Sequence, residues 1–481
     1  MKPKSMARRT LCCRGGRMAF LAWLTWGAPI QADPLRELVE SAWRESPRVA
    51  AAREHVLRAT AAAEGVEGFF DPRLSARASR SDFSQDLYGL TRAGVLTDDT
   101  ISFQAGVEAA VLPGLYAGLG VEQWRPTRGD ATDREISRVG PRLRIPLLRD
   151  RGFLSWRAQR RGADAACEAA RAQLLDVTQR LEQDVELRYI ELQTAFAQYA
   201  VAQAATARAE RLFRETQKMA ELNAVPAYQV HPARLEIARR REELAAAEQA
   251  VRSSRRRIEL LTGIDADAVI EPVDFIAWGS GKETFPAEDS AITLSRRGDY
   301  LRQVWLVNGQ AAQLAEAQNV RRSELSLEAG YSWMETEDGD ARDGGDVSLI
   351  WRHAIGNRSG KATARAREAQ AREETEILRA LEREIITEQK IAAAEFQSAA
   401  SRLAWMADAV AAARSALDAE EERFRLGEGT SRQALDAQKD LTDILRRQND
   451  VVADVLKARA RLRFAMGLGG PSPAHRRGNT L

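Results

Sequence analysis

Few side chains in this chain of 481 residues have the types and spacing of a catalytic or metal site. Its four histidines, at positions 55, 231, 353 and 475, lie far apart without metal-ligand spacing. The segment GNRSGKA at 356–362 resembles a phosphate-binding loop, but three residues separate its glycines instead of four. Ala362 also stands where Ser or Thr would hold magnesium. The sequence therefore predicts no enzyme activity, no cofactor and no metal site.

Two basic runs, ARRRE at 238–242 and RSSRRR at 252–257, raise the question of nucleic-acid binding. Acidic residues are interleaved near both runs, as is typical of a solvated helix face. The N-terminal residues also predict an export signal. We therefore expect no nucleic-acid partner.

The N-terminal 32 residues contain six Lys or Arg and no acidic residue. An apolar run, Met18–Trp26, follows the basic segment, and small residues precede Asp33. This order predicts a secretory signal peptide over 1–32, with Met6 and Met18 as alternative starts. Removing it leaves 71 − 6 = 65 basic against 69 acidic residues, a net charge near −4.

Cysteine usage and hydropathy limit how the exported chain can be built. Cys12 and Cys13 precede the apolar run, so they do not form a lipoprotein acylation site. Cys167 is the one cysteine beyond the signal peptide, which excludes an intrachain disulfide. No later window approaches the ~20 apolar residues of a membrane-spanning helix. If the protein crosses a membrane, it does so with strands.

A helical pattern occurs twice in the chain, 204 residues apart. Leu174, Val177, Leu181, Leu192 and Tyr199 of the first copy correspond to Leu378, Leu381, Ile385, Phe396 and Leu403 of the second. These apolar residues recur at helical spacing, and the intervening residues are strong helix formers. Both copies end at a glycine, Gly263 and Gly467. The sequence therefore predicts an internal duplication of a long helical segment.

Each long helical pattern is interrupted near its middle. MAELNAVPAYQVHPARLEI at 219–237 contains Asn223, Pro226 and Pro232, and RFRLGEGTSRQALDAQKDL at 423–441 contains two glycines. We interpret both interruptions as tips where a helix turns back as an antiparallel hairpin, with Thr430 or Ser431 capping the returning helix. A single kinked helix is the alternative.

The residues before each long helix alternate between apolar and polar. The pattern covers 325–333 and 347–351 in the second half, on either side of a polar loop at Glu335–Asp346. In the first half it covers 101–111 and 115–121, with flanking strands at 74–78 and 139–147. Such alternation is typical of membrane β-strands, and it fits a half-buried soluble sheet equally well.

The number of predicted strands limits a membrane barrel. Four to six strands cannot close a barrel, since the smallest membrane barrels have eight, and lipid does not tolerate an open sheet edge. If these strands span a membrane, several chains must share one barrel.

The combination of signal peptide, strand pair and long helical hairpin, present twice, resembles the TolC-like outer-membrane efflux proteins. RFRLGEGTSRQALDAQKDL resembles the second tip segment of that family, and IPLLRDRG at 145–152 resembles the step from its strand into its long helix. HAIGNRSG at 353–360 departs from this pattern with Ala354 in place of proline. The first tip departs too, with Asn223 at the glycine position. The resemblance covers residues 40–467.

This resemblance implies a mostly α fold with membrane β-strands: a duplicated strand pair plus long α-helical hairpin. Three identical chains would form a trimeric β-barrel in the outer membrane, continued by an α-barrel tunnel through the periplasm. The barrel would conduct substrates passively. A periplasmic adaptor would connect it to an inner-membrane pump of the RND or ABC type, and outer-membrane lipid would surround it.

Adaptor docking is expected at the two hairpin tips. The residues concerned are Asn223, Ala224, Val225, Pro226 and Ala227 of the first tip, and Gly427, Glu428, Gly429, Thr430 and Ser431 of the second. The alternative for these residues is a purely structural role in the turns. The alternative for the whole protein is a periplasmic coiled-coil adaptor of a secretion system, which needs no membrane strands.

These observations predict the following organisation. A first repeat covers 33–263, with a helix, strands over 70–147 and a helical hairpin at 155–262. A linker, 264–290, leads to a second repeat at 291–467, with a helix, strands over 324–353 and a hairpin at 358–466. The tail, 468–481, is predicted to be disordered. The predicted strands at 101–124 exceed one pair per repeat and either join the barrel or form an outer hairpin.

Overall fold

The computed structural model describes residues 34–85, 96–128, 136–222, 225–265, 270–281, 283, 285, 290–336 and 341–470. The predicted signal peptide lies outside these ranges. Nine α-helices and six strands are present in the described part of the chain. In chain order they are α1 (Pro34–Glu45), α2 (Pro47–Glu67), β1 (Arg73–Gln85), β2 (Leu96–Leu112), β3 (Leu115–Arg128), β4 (Ile136–Pro146), α3 (Leu154–Glu221), α4 (Val230–Thr262), α5 (Phe275–Ser280), α6 (Ser290–Arg296), α7 (Gly298–Val320), β5 (Glu324–Thr336), β6 (Ala341–Arg352), α8 (Arg358–Arg425) and α9 (Ser431–Ala465).

Two helices dominate the molecule. Helices α3 and α8 each have 68 residues, about 100 Å at 1.5 Å per residue, and their first residues differ by 358 − 154 = 204. Helix α4 packs against α3, and α9 packs against α8, so each long helix has a returning partner. The chain therefore forms two helical hairpins, and the alternative of a single kinked helix is wrong.

The returning helices end as the sequence predicts. Gly263 has φ +70° after α4, and Gly467 has φ +65° after α9. Such left-handed backbone is strained for residues with a side chain, which explains glycine at both ends. Pro232 lies in the first turn of α4, where backbone N–H groups have no partner within the helix. A proline there does not interrupt the helix.

The helical core connects both hairpins with the segments between them. One apolar cluster joins α1, α3 and α4 through buried residues such as Leu38, Val185 and Ile258. A second joins α3 and α9, and Phe275 of α5 lies in it. The predicted linker, 264–290, therefore contains a helix packed into the core. None of the described helices is both long and apolar enough to span a membrane.

The six strands form one antiparallel sheet in the order β1-β2-β3-β4-β5-β6. The β5–β6 ladder extends to the pair Glu335–Ala341, so the predicted loop at Glu335–Asp346 is too long. Gly344 and Gly345 pair with β5 and continue the ladder, although their composition suggested a loop. Only 337–340 separate the two strands, and these lie outside the described residues.

The chain beyond α9 begins with an ordered segment. Leu468 packs against a cluster formed by α8 and α9, and the amide of Gln179 donates a hydrogen bond of 3.1 Å to the Gly469 carbonyl. The prediction of disorder from residue 468 is therefore wrong for 468–470, because these residues satisfy polar groups on α3. Residues 471–481 lie outside the described part.

Candidate functional site

The sheet has two chemically different faces. One face, the apolar face, carries the exposed side chains Leu74, Phe103, Val107, Leu119, Val121, Val139, Leu143, Ile145, Tyr331, Trp333, Val347, Leu349 and Trp351. Val347 is 76% exposed and Trp351 is 66% exposed. A contiguous apolar surface of this size is unusual on a protein that faces water. It fits a sheet whose outer face contacts lipid.

The opposite face, the polar face, lines a concavity of about 910 Å³. It carries Ser75, Arg77, Gln104, Glu108, Tyr116, Glu122, Arg138, Arg142, Arg144, Glu328, Ser332 and Asp346. Period-2 alternation along each strand produces this separation, because successive side chains point to opposite faces. The sheet is thus built to keep water on one side and apolar surroundings on the other.

Ion pairs connect different strands across the polar face. Arg142 of β4 donates to Glu122 of β3 at 2.6 Å, and Arg144 donates to Glu108 of β2 at 2.7 Å. The guanidinium of Arg144 also lies 4.1 Å from the centre of the Tyr116 ring. These contacts fix long side chains along the wall of the concavity.

Glycines keep the centre of the polar face free of side chains. Gly106 of β2 pairs with Gly120 of β3, which pairs with Gly140 of β4. A Cβ atom on Gly140 would overlap the carbonyl oxygen of Tyr331 on β5. At this position β5 approaches the backbone of β4 too closely for any other residue.

Aromatic side chains fill the corner where the sheet meets α3. Phe153 is 1% exposed, and its ring lies 5.1 Å from that of Phe69 and 5.3 Å from that of Tyr116. Phe70 and Trp156 complete the cluster, which we call the aromatic corner. Phe153 has φ +61°, a strained conformation for a residue with a side chain. Packing in the aromatic corner compensates for that strain.

The second tip, residues 427–431, has a glycine-dependent turn. Gly427 has φ +77°, its N–H donates to the Phe424 carbonyl at 3.1 Å, and the Glu428 N–H donates to the Arg423 carbonyl at 2.9 Å. These two bonds form a Schellman motif, in which glycine is the preferred residue. Nothing lies within 4 Å of a Cβ built on Gly427, so this part of the tip is open.

Thr430 caps the returning helix α9. Its hydroxyl accepts a hydrogen bond from the Gln433 N–H at 3.3 Å, and its own N–H donates to the Gln433 side chain at 2.9 Å. This reciprocal pair is a capping box. Of the two capping residues the sequence suggested, the structure selects Thr430.

Ser431 connects the two tips. It is 2% exposed, and its hydroxyl donates to the side chain of Gln229, next to the first tip, at 3.2 Å. It is therefore inaccessible to a partner in the single chain, unlike the exposed Glu428 and Thr430.

The first tip, residues 223–227, is only partly described. Asn223 and Ala224 lie outside the described residues. Val225 donates a backbone hydrogen bond of 3.4 Å to the Met219 carbonyl, while Pro226 and Ala227 are exposed. Both tips thus lie at the same end of the molecule, opposite the sheet.

Three exposed apolar residues at the tips were absent from the predicted site. Leu222 is 79% exposed, Tyr228 is 68% exposed and Leu426 is 65% exposed. Each directly precedes or follows a predicted tip residue. Their position beside the breaks, outside the apolar stripe of each helix, was the available signal in the sequence.

A charged network fastens α4 to α9 above the tips. Arg240 is 5% exposed and donates to Glu236 at 2.7 Å and to Glu243 at 3.0 Å, while Arg446 of α9 donates to Glu243 at 2.5 Å. Burial opposes ionisation of Glu243, but the hydrogen bond from Arg446 and the charge of Arg240 outweigh it and lower its pKa. The basic run at 238–242 therefore contributes to helix packing.

Within the described residues, no three His, Cys, Asp or Glu side chains come together as metal ligands. Gly356 and Asn357 of the loop at 356–362 have φ +79° and +41° and form the turn from β6 into α8. The Asn357 amide donates to the Arg321 carbonyl at 2.8 Å, which fixes this turn.

Comparison with known proteins identifies this architecture at the level of fold. No family model matches the chain, and no curated protein matches it. Solved structures do: the outer-membrane channel OprN matches with a TM-score of 0.69 and 18% identity, over 91% of this chain and 90% of that chain. The outer membrane protein VceC from Vibrio cholerae matches with a TM-score of 0.66 and 17% identity, over 90% of this chain and 96% of its own.

A third structure, that of CusC, for which transmembrane channel formation is described, has a TM-score of 0.69 and 17% identity. The match covers 92% of this chain and 93% of that chain. These matches span the sheet, both helical hairpins and the segments between them. The chain therefore has the TolC-like fold of these outer-membrane channels.

Proposed function

We propose that this protein is an outer-membrane channel that passively conducts substrates from the periplasm to the cell exterior. The observation that carries the proposal is the sheet with one exposed apolar face and one polar concave face, joined at one end to helices of about 100 Å. Lipid would contact the apolar face and water the polar face. The helices would extend the conduit through the periplasm.

The assembly that we propose is a homotrimer. The six strands among the described residues of one chain are fewer than the eight of the smallest membrane barrels, and an open sheet edge in lipid leaves backbone groups without partners. Several copies must therefore contribute to one barrel. The fold shared with OprN, VceC and CusC supports three.

The proposed role is that of the outer component of a tripartite efflux or type I secretion system. A periplasmic adaptor would contact the two tips, and an inner-membrane pump of the RND or ABC type would supply the energy. The exposed apolar side chains Leu222, Tyr228 and Leu426 support a protein contact at this end. The channel itself would need no catalytic residue.

The alternative function, a periplasmic adaptor, is less well supported. An adaptor has no need for a sheet with an apolar face exposed along its length. The helical hairpins fit both functions, whereas the apolar face of the sheet supports the channel.

Cell fractionation tests the proposal. We expect the mature protein to sediment with outer membranes and to resist extraction by alkali, because the strands of a closed barrel have their backbone groups paired within it. A peripheral membrane protein in the same preparation, which alkali should release, is the control. Recovery in the soluble periplasmic fraction would contradict the proposal and favour an adaptor.

A further inference from the structure

The number of strands per chain determines how wide a shared barrel is. A duplicated strand pair gives four strands, but β2 and β3 lie between β1 and β4 in the same sheet and raise the number to six. In the part of the chain that the structure describes, the first half thus contributes four strands and the second half two.

Strands β2 and β3 are integral parts of the sheet. Their ladder continues from the pair Leu112–Leu115 to the pair Asp99–Arg128. At its helical end, the turn containing Gly114 packs against Gly152, where a Cβ on Gly114 would lie 3.2 Å from the Gly152 backbone nitrogen. These two strands therefore extend along the sheet beside the others and do not form a separate outer hairpin.

The two edges of the sheet match each other. Strand β1 has 13 residues and β6 has 12, and in the described part of the chain each pairs with one neighbour. β1 runs away from the helices, since it follows α2, and β6 runs towards them, since it leads into α8. With an even number of antiparallel strands, β6 of one copy meets β1 of the next in antiparallel orientation.

The helical layer has the same two edges. α2 and α4 pack on α3, whereas α8 packs on α7 and α9, which lie between it and α3. The outer edge helix α8 carries three exposed apolar residues, each fourteen positions apart: Ile377 (46%), Ile391 (54%) and Trp405 (70%). Fourteen is two heptads, the spacing of a coiled-coil contact with another helix. The chain therefore presents different surfaces at its two edges, as a ring-forming subunit requires.

We propose that three copies close a barrel of 3 × 6 = 18 strands, with β6 of each copy paired to β1 of the next. This inference rests on the proposed channel function. With strands about 4.8 Å apart and tilted by about 40°, eighteen strands give a backbone radius of about 18 Å, against about 12 Å for twelve. The barrel segment would thus admit bulky hydrated solutes that a twelve-stranded barrel excludes.

The width is measurable with maleimide-coupled polyethylene glycols of graded size. In a Cys167→Ala background, Ser332→Cys places one thiol on the polar face, near the end of β5 farthest from the helices. A second chain with the same thiol lacks 96–128, that is β2 and β3. The deletion connects the last residue of β1 to the first residue of β4 through a shorter loop, and these two residues lie at the same end of the sheet.

We expect both chains to assemble and to be labelled from outside intact cells. The full chain should react with larger polyethylene glycols than the shortened chain does. Equal limits for the two assembled chains would overturn the eighteen-stranded barrel. Absence of the full chain from the outer membrane would instead contradict the channel function itself.

Cross-linking decides the strand order even if the shortened chain fails to assemble. Ser75→Cys on β1 is combined in turn with Asp346→Cys, Ser348→Cys or Ile350→Cys on β6. We expect one of these pairs to give a covalently linked trimer upon oxidation. In the control pair, Ser75→Cys with Arg142→Cys on β4, the two thiols are separated by the two strands β2 and β3 and should not react. A disulfide in the control pair within one copy, and none between copies, would show that β2 and β3 lie outside the barrel.

Discussion

At the scale of single residues, the turn positions were the most predictable part of the molecule. Gly427, Gly263 and Gly467 all have positive φ, and Thr430 makes the reciprocal hydrogen bonds of an N-cap. These outcomes follow from local backbone sterics and from hydrogen bonds within four residues, which a sequence displays directly.

Residues whose role depends on distant partners were not predictable. Arg297 is 3% exposed, donates to Asp299 at 2.8 Å and pairs with Glu388 of α8 at 2.9 Å. Burial opposes ionisation of Asp299, but the bonds from Arg297 outweigh it and lower the pKa of that carboxyl. In the sequence both residues look like ordinary surface charges. Ser431 is similar, since its burial depends on Gln229, 202 positions earlier.

One prediction concerns the shape of the second tip. Gly427→Val places a β-branched residue at φ +77°, with strain on the order of 1–3 kcal/mol confined to the turn. We expect trimer assembly to survive, because the strands lie tens of ångströms away, whereas export falls sharply. An unboiled gel measures assembly of the trimer. The sensitivity of the same cells to the exported compound measures export.

Gly427→Asn is the matched control for this variant. Asparagine tolerates left-handed backbone, and Asn223 occupies the corresponding position of the first tip. This variant should therefore export almost normally. Normal export by the valine variant would show that the tip is not a docking surface, and loss of its trimer would show that the turn is needed for folding.

At the scale of elements, the helices were more predictable than the sheet. The 204-residue offset of the apolar stripe reappears as the offset between α3 and α8. All six strands were indicated by alternation, but their order and edges depend on pairing between residues up to about two hundred positions apart, such as Ile136 and Thr336. Hydrophobic periodicity contains no information on such pairing.

The aromatic corner gives a prediction at this scale. Phe153→Ala removes a buried ring, a change that costs about 3–5 kcal/mol in a packed core, while the backbone strain at φ +61° stays because alanine also has a Cβ. We expect the proposed trimer to dissociate at a clearly lower temperature, measured by heating samples stepwise before an unboiled gel.

The turn from β6 into α8 provides the control. Ile355 lies at the turn from β6 to α8 and is 99% exposed, so Ile355→Ala should leave the dissociation temperature nearly unchanged. An equal effect of both substitutions would mean that burial in the single chain does not determine the stability of these two connections between strand and helix.

At the scale of the whole molecule, the sheet and the helical layer share the same two edges. β1 with α2 and α4 forms one edge, β6 with α8 forms the other, and the two edges differ in sequence and surface. In the proposed assembly, such a subunit would close a ring by repeating a single contact. The apolar face of the sheet and its two edges both support an assembly of several copies.

The most direct test of a shared membrane channel is the native mass of the purified protein in detergent, combined with its conductance in a planar lipid bilayer. We expect a particle of three chains that conducts ions without an added energy source. A stable monomer that conducts on its own would contradict the shared barrel.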